Sequence, residues 1–416
     1  MQRTGLVLAL VAGMAVVAAA AAGAEWPQFL GPNRDATSPE TGLMRAWPEG
    51  GPKVLWTVEV GPGYGGAAIC DGQVFIMDRE KEQADVLRVF DLKTGKELWK
   101  FGYAAPGKIS HPGSRSTPTV DEKHIYIVGP KGHFHCIDRQ THKVVWQKNL
   151  LEDYGTKEPQ WSVAQSPLLY KDTVIVAPQG DKVGVVAFDR ATGKVKWQSG
   201  SVGPMDYASP MLRTLEGVDM VTIVNREGAS AVEAGTGQGL WQYRHPCRIL
   251  VPGMTAMPGG LFFVTGGYNA GSAIIRVTKQ GAGFGVQEVA TIDKVGSHLH
   301  PGFFHDGHIY ALCNTNERKD GLICFDQKLK IVWQTNNAPN LDKGGSVLTA
   351  DGLIYIVDGA KGDLHIVQPS PQGFKSLDKV NLLGGREIWG PLALADGYLV
   401  IRDQSQMKCL DIKPGR

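Results

Sequence analysis

Val89-Phe90-Asp91-Leu92-Lys93-Thr94-Gly95-Lys96-Glu97-Leu98-Trp99 reads as two short strands joined by a tight turn. An Asp side chain can accept hydrogen bonds from the amides of the turn that follows it. Gly95 supplies the left-handed conformation that a short hairpin loop often needs. The apolar residues alternate, so one face of each strand turns toward a core. Trp99 adds a large apolar plate that can pack one such unit against another.

The phrase recurs. Cys136-Ile137-Asp138 leads through Thr141-His142-Lys143 to Trp146, and Ala187-Phe188-Asp189 through Thr192-Gly193-Lys194 to Trp197. Ala231-Val232-Glu233 leads through Thr236-Gly237 to Trp241. In these four copies the acid and the Trp stand eight residues apart. A shortened copy runs from Cys324-Phe325-Asp326 to Trp333, and a truncated one is Cys409-Leu410-Asp411-Ile412-Lys413.

Two further phrases share this period. Pro118, Pro167, Pro210, Pro252, Pro301 and Pro391 each open an apolar run, and proline is tolerated in a sheet only at an edge or a strand start. Asp71-Gly72, Asp306-Gly307, Asp351-Gly352 and Asp396-Gly397 lie between apolar runs, a strong hairpin signal; Asp121-Glu122 stands in the same place. Together the phrases give about four strands per repeat of about 45 residues. Copies around Phe262-Phe263-Val264 and Ile354-Tyr355-Ile356 lack the Trp. Val54-Leu55-Trp56-Thr57-Val58 resembles the last strand of a repeat with nothing before it, and the stretch from Trp56 onward holds eight repeats. The expected fold is therefore all-β: an eight-bladed β-propeller of four-stranded antiparallel blades. The strand around Trp56 completes the truncated last blade and closes the ring, which leaves no open blade face.

The 416-residue chain holds 53 glycines and has a formal net charge of +2. No basic stripe appears, which argues against a nucleic-acid partner. Arg3, the apolar stretch Leu6–Ala22 and Ala22-Gly23-Ala24 fit a signal peptide cleaved after Ala24, with periplasmic or secreted destination. An uncleaved membrane anchor is the alternative for the same stretch. The expected organisation is a signal peptide over 1–24, a leader over 25–52 and a single propeller over 53–416, as a monomer.

Cys136, Cys324 and Cys409 occupy the slot of Val89, Ala187 and Ala231 and read as small core residues. Cys70, Cys247 and Cys313 have no such account, and a Cys313–Cys324 bridge stays open. His133 and His135 alternate along one strand and face one side. Two imidazoles can chelate a metal, as can His298 and His300, but no companion motif supports a metal site, so ordinary surface or interface histidines are the default. No nucleophile elbow, P-loop or dinucleotide fingerprint is present.

The phrase Ala-x-Asp-x-x-Thr-Gly-Lys-x-x-Trp resembles the tryptophan docking motif of PQQ-type propellers, a superfamily with quinoprotein alcohol dehydrogenases and the outer-membrane barrel-assembly lipoprotein. The opening Trp26-Pro27-Gln28-Phe29-Leu30-Gly31-Pro32-Asn33-Arg34-Asp35 is similar to the leader of secreted propellers of that kind. For the enzymes, the resemblance implies a calcium-bound PQQ on the axis and a vicinal Cys-Cys pair. This chain has no adjacent cysteines and none of the long insertions that cover the cofactor. Residues before the edge-strand prolines must gather at one mouth of the channel. Arg115, Gln165, Tyr207, His298, His300 and Trp389 are the candidates there, with Trp161, Asp206, Arg386 and Glu387 close by in sequence. Such a mixture suits a polar ligand, or the Arg and the acids simply pair across the mouth. The first functional reading is a non-catalytic binding or assembly scaffold for envelope or extracellular proteins or glycans. The alternatives are a quinoprotein-like oxidoreductase using PQQ and calcium at the mouth, and a carbohydrate-binding or carbohydrate-active propeller with paired acids and exposed aromatics in a cleft.

Overall fold

The computed structural model describes residues 25–281 and 283–415; the signal-peptide reading falls outside them. Among the described residues there are eight sheets. Blades 1 to 7 begin at Ala68, Thr119, Leu168, Met211, Thr255, Phe303 and Ser346 and end at Ala104, Asn149, Gln198, Arg244, Ile292, Gln334 and Asn381. Blade 8 takes three strands from Ala393–Asp411 and its fourth from Lys53–Glu59. That fourth strand pairs antiparallel with Gln406–Asp411, placing Trp56 opposite Cys409. The ring closes as the truncated last repeat requires.

Each phrase has its physical counterpart. Asp91 Oδ1 accepts from the amides of Lys93 (3.1 Å) and Thr94 (2.8 Å) and from the Thr94 hydroxyl (2.8 Å). Asp138 and Asp189 hold their turns through Thr141 and Thr192 in the same way. At Asp71-Gly72, Asp306-Gly307 and Asp396-Gly397 both residues have positive φ, the backbone of the hairpin turn that Asp-Gly favours.

The glycine of the Thr-Gly-Lys turn does more than bend the chain. A Cβ on Gly95 would stand 2.5 Å from the Trp56 ring, on Gly193 2.7 Å from Trp146 and on Gly237 2.4 Å from Trp197. Each Trp thus lies flat on the turn of the next blade. The indole N–H of Trp56 donates to Leu92 O (2.7 Å) and that of Trp146 to Arg190 O (2.9 Å), both inside those turns. In blade 2 the glycine slot holds His142, whose ring stacks on Trp99 with centroids 3.9 Å apart. The slot before the Asp faces the Trp across the hairpin: Val89 opposite Trp99, Cys136 opposite Trp146, Ala187 opposite Trp197 and Cys324 opposite Trp333. A small residue there leaves room for the indole. All six cysteines are buried free thiols, and Cys324 pairs with Tyr310 rather than with Cys313.

The prolines stand one to three residues before the inner strands. The hydroxyl residue before three of them stitches neighbouring blades around the channel. Gly66 N–H donates to Thr117 Oγ1 (3.1 Å), Thr117 N–H to Ser166 Oγ (2.9 Å) and Ser166 N–H to Ser209 Oγ (2.8 Å).

The leader is part of this architecture. Trp26 bridges Ile69 of blade 1, Thr37–Ser38 adds a parallel strand to blade 7, and Glu40 accepts from Gly397 N–H of blade 8 (2.6 Å). Glu25 and Gly42 meet the Asp-Gly turns at Asp71 and Asp351. The leader therefore covers the end of the channel away from the prolines. Buried Arg34 anchors it, donating to Ser166 O (2.9 Å) and Pro167 O (2.7 Å).

Candidate functional site

At the proline end of the channel lies a cavity of about 170 Å³. Of the residues expected at the mouth, Arg115, Trp161, Tyr207, His298, His300 and Trp389 line it. Tyr64, His111, Tyr268 and Asn316 join them, and the leader contributes Phe29 from below.

Five rings form a continuous arc around one side. Trp389 lies 5.6 Å from Tyr64, Tyr64 6.2 Å from His111, His111 5.7 Å from Trp161, and Trp161 5.2 Å from Tyr207. The backbone makes this closeness possible. Gly113 has φ +98°, and a Cβ there would overlap the carbonyl oxygen of Pro62 at 1.7 Å. The loop after Pro62 therefore lies against the loop before Ser114, and Tyr64 meets the Arg115 guanidinium at 5.6 Å from its ring.

Arg115 donates to His111 O (2.7 Å) and Gly113 O (2.9 Å) and has no carboxylate partner among the described residues. Burial lowers its pKa to about 10, so it is cationic at neutral pH. His298 and His300 are neutral there, since burial brings each down to about 4. His300 Nε2 lies 3.1 Å from Trp389 O, and His298 packs edge-on against Tyr268.

The other sequence candidates point elsewhere. Gln165 is buried behind the wall, bridging Ala177 N–H (2.7 Å) and O (2.8 Å). Asp206 accepts from Arg226 N–H (2.5 Å) and from its guanidinium (2.7 Å). Arg386 is exposed and outside the lining. Glu387 acts indirectly, accepting from the Tyr64 hydroxyl (2.6 Å) and so fixing that ring. An Arg–acid pairing across the mouth is not what forms: Asp206 takes Arg226, and Arg115 stays unpaired. Tyr64 sits in the glycine-rich stretch Gly63-Tyr64-Gly65-Gly66, and that composition was its signal. Tyr268 follows Gly266-Gly267 in the same way.

His133 and His135 lie away from the cup and pack on Tyr103, with centroids 5.3 and 4.3 Å from it. Glu25, Cys70 and Asp71 cluster at the opposite face, where Arg139 pairs with Asp71 at 2.9 Å.

Residues 82–248 match the family described as outer membrane protein assembly factor BamB. A stretch of 123 residues is 29% identical to the dehydrogenase subunit of alcohol dehydrogenase (quinone) from Komagataeibacter europaeus. The repeats of this propeller are similar to those of the PQQ type. That match covers 27% of this propeller and only 17% of the relative's length. The corresponding subunit from Gluconobacter oxydans is 27% identical over 122 residues, 16% of its length. Among solved structures, a europium-containing methanol dehydrogenase superposes with a TM-score of 0.65 at 14% identity, covering 91% of this chain and 89% of that one. BamB from Moraxella catarrhalis gives 0.61 at 14% identity, over 86% and 99%. At these identities the likeness is one of fold.

Calcium takes about six to eight oxygen ligands, with carboxylates prominent among them. No Asp or Glu lines this propeller's cup, and the acids flanking it are engaged. Asp342 accepts from the Trp389 indole (3.1 Å) and from Lys343 (3.0 Å); Glu387 and Asp206 hold Tyr64 and Arg226. This donor set does not fit a calcium ion, and Arg115 is the single permanent cation in the lining that could meet the carboxylates of a quinone.

Proposed function

We propose that the protein is an exported, non-catalytic binding scaffold that receives a protein or glycan partner on its proline-side face, with the aromatic cup as the point of capture. The observation that carries this reading is the arc of touching rings around one guanidinium, with no carboxylate bonded to it and none in the lining, among the described residues, to serve as acid, base or metal ligand. Aromatic rings offer large, rigid contact area, and a single charged donor orients what enters. Glycoside hydrolysis needs two carboxyl groups across a cleft, and the cup has none. The similarity to an assembly factor favours a macromolecular partner. Export is the expectation from residues 1–24, and the N-terminus of the recovered protein, expected at Glu25, tests it.

The decisive experiment is a titration of the purified protein with PQQ plus calcium, followed by dye-linked oxidation of alcohols and sugars. The scaffold reading expects no turnover. Saturable binding with turnover, both lost in Arg115→Ala, refutes it. In parallel, envelope proteins and glycans captured by the wild type are expected to be lost with Trp161→Ala.

A further inference from the structure

We infer that the cup selects a ring-shaped carboxylate: a six-membered ring laid against the aromatic arc with its carboxylate on Arg115. This deepens the scaffold reading and rests on it.

The cup holds more free donors than acceptors. Arg115 spends two N–H groups on backbone carbonyls; its remaining N–H groups have no acceptor among the described residues. Tyr207 Oη accepts from the Trp161 backbone N–H (3.1 Å), which leaves its own hydrogen to be donated. Ser209 Oγ accepts from Ser166 N–H, with the same consequence. A hydroxyl whose oxygen is occupied acts as a donor. The Trp161 indole N–H is donor only and has no partner among the described residues. The lining thus offers several free donors and one permanent positive charge, without a carboxylate acceptor.

Electrostatics point the same way. Lys343 lies over the Trp389 ring at 5.0 Å and Arg248 over Tyr268 at 5.4 Å, so cations stand behind two of the walls. Asp342 and Glu387 are bonded to Trp389 and Tyr64, Glu158, whose charge acts on Arg115, is paired with Lys131 at 2.9 Å, and Glu317 beside Asn316 is exposed, where solvent screens it. A charge-assisted bond to a guanidinium is the strong kind, and the ring faces discriminate by shape. A cavity of about 170 Å³ suits one ring rather than a chain of them. Two sources share this chemistry: the uronate unit of an acidic glycan and an aromatic acid.

The test is calorimetric titration of the full-length protein with glucuronate against glucose, and with benzoate against benzyl alcohol. Each carboxylate is expected to bind about tenfold or more tighter than its neutral counterpart. Arg115→Gln should abolish that preference and Arg115→Lys should retain part of it. Asn316→Asp, at an exposed lining position, should weaken it by adding a negative charge to the cup. Stronger binding of glucuronate assigns the acidic glycan, and stronger binding of benzoate the aromatic acid. Equal binding of charged and neutral ligands, or a preference that survives Arg115→Gln, overturns the carboxylate selection and leaves the cup as a capture site. No binding of any of the four at millimolar concentration, together with partner capture unaffected by Trp161→Ala, overturns the scaffold reading of the cup as well.

Discussion

Replacing Gly193 by Ala separates two reasons for a glycine that coincide at one position. Gly193 has φ +66°, and its missing Cβ is where the Trp146 ring rests, 2.7 Å away. A non-glycine residue held in the left-handed region costs about 1 kcal/mol. Overpacking that displaces a buried aromatic costs about 1–3 kcal/mol more, and here the indole N–H bond to Arg190 O would be strained too. Gly217 isolates the first cost, since it has φ +74° and nothing within 4 Å of its Cβ position. Urea unfolding followed by tryptophan fluorescence should therefore show Gly217→Ala losing about 1 kcal/mol and Gly193→Ala about 3 kcal/mol. Blade 2 shows what the slot tolerates. His142 has φ +58° and stacks flat on Trp99, so Gly193→His should recover part of the loss through ring stacking. Equal losses for the two alanine variants would refute the idea that the Trp–glycine contact holds adjacent blades together.

Trp56→Ala removes the indole that locks the N-terminal strand to the turn of blade 1, and should cost about 3–5 kcal/mol in the same unfolding assay; a loss below 1 kcal/mol would mean that ring closure does not depend on it. Arg34→Ala leaves the Ser166 carbonyl without its donor, while the Thr119 hydroxyl still donates to Pro167 O, and should cost about 1–3 kcal/mol, with the leader cleaved first in limited proteolysis; uniform digestion would contradict its anchoring role. Stability should fall on acidification. Burial holds His135, His298 and His300 at about 4, below the ordinary value near 6.5. Their contribution is full above pH 6.5, shrinks as pH drops toward 4 because the unfolded chain takes up protons that the folded chain refuses, and is gone below that. Each histidine accounts for about 3 kcal/mol over this window. Denaturation midpoints that stay flat from pH 6.5 to 4.5, or a His300→Gln variant with an unchanged slope, would show that these imidazoles are not buried neutral.

Much of the site was legible in part. The rule that residues before the prolines gather at one mouth holds for Arg115, Tyr207, His298, His300 and Trp389, because each precedes its inner strand by a similar number of residues. It fails for Gln165, and Asp206, close by in sequence, does not enter the cup either. Both lie near the right position along the chain, but their side chains turn away, one to Ala177 and the other to Arg226. Spacing along a loop fixes the place of a residue and leaves its direction free. Tyr268 and His111 were missed for the same reason: they sit on loops whose path is set by contacts between blades.

The sequence by itself determined the repeat, the strand pairing inside each blade, the number of blades and the closure through Trp56. These are local matters, governed by turn chemistry, alternation and a period of about 45 residues, and each copy repeats the same instruction. Only the tertiary structure decided the rest. That the leader covers the far end of the channel follows from Trp26 meeting Ile69, Thr37–Ser38 meeting blade 7 and Glu40 meeting Gly397. No motif announces contacts between residues so far apart in sequence. That Arg115 stands without an acid, among rings drawn from several blades, is likewise a property of the closed ring, since the side chains that could have paired with it found nearer partners.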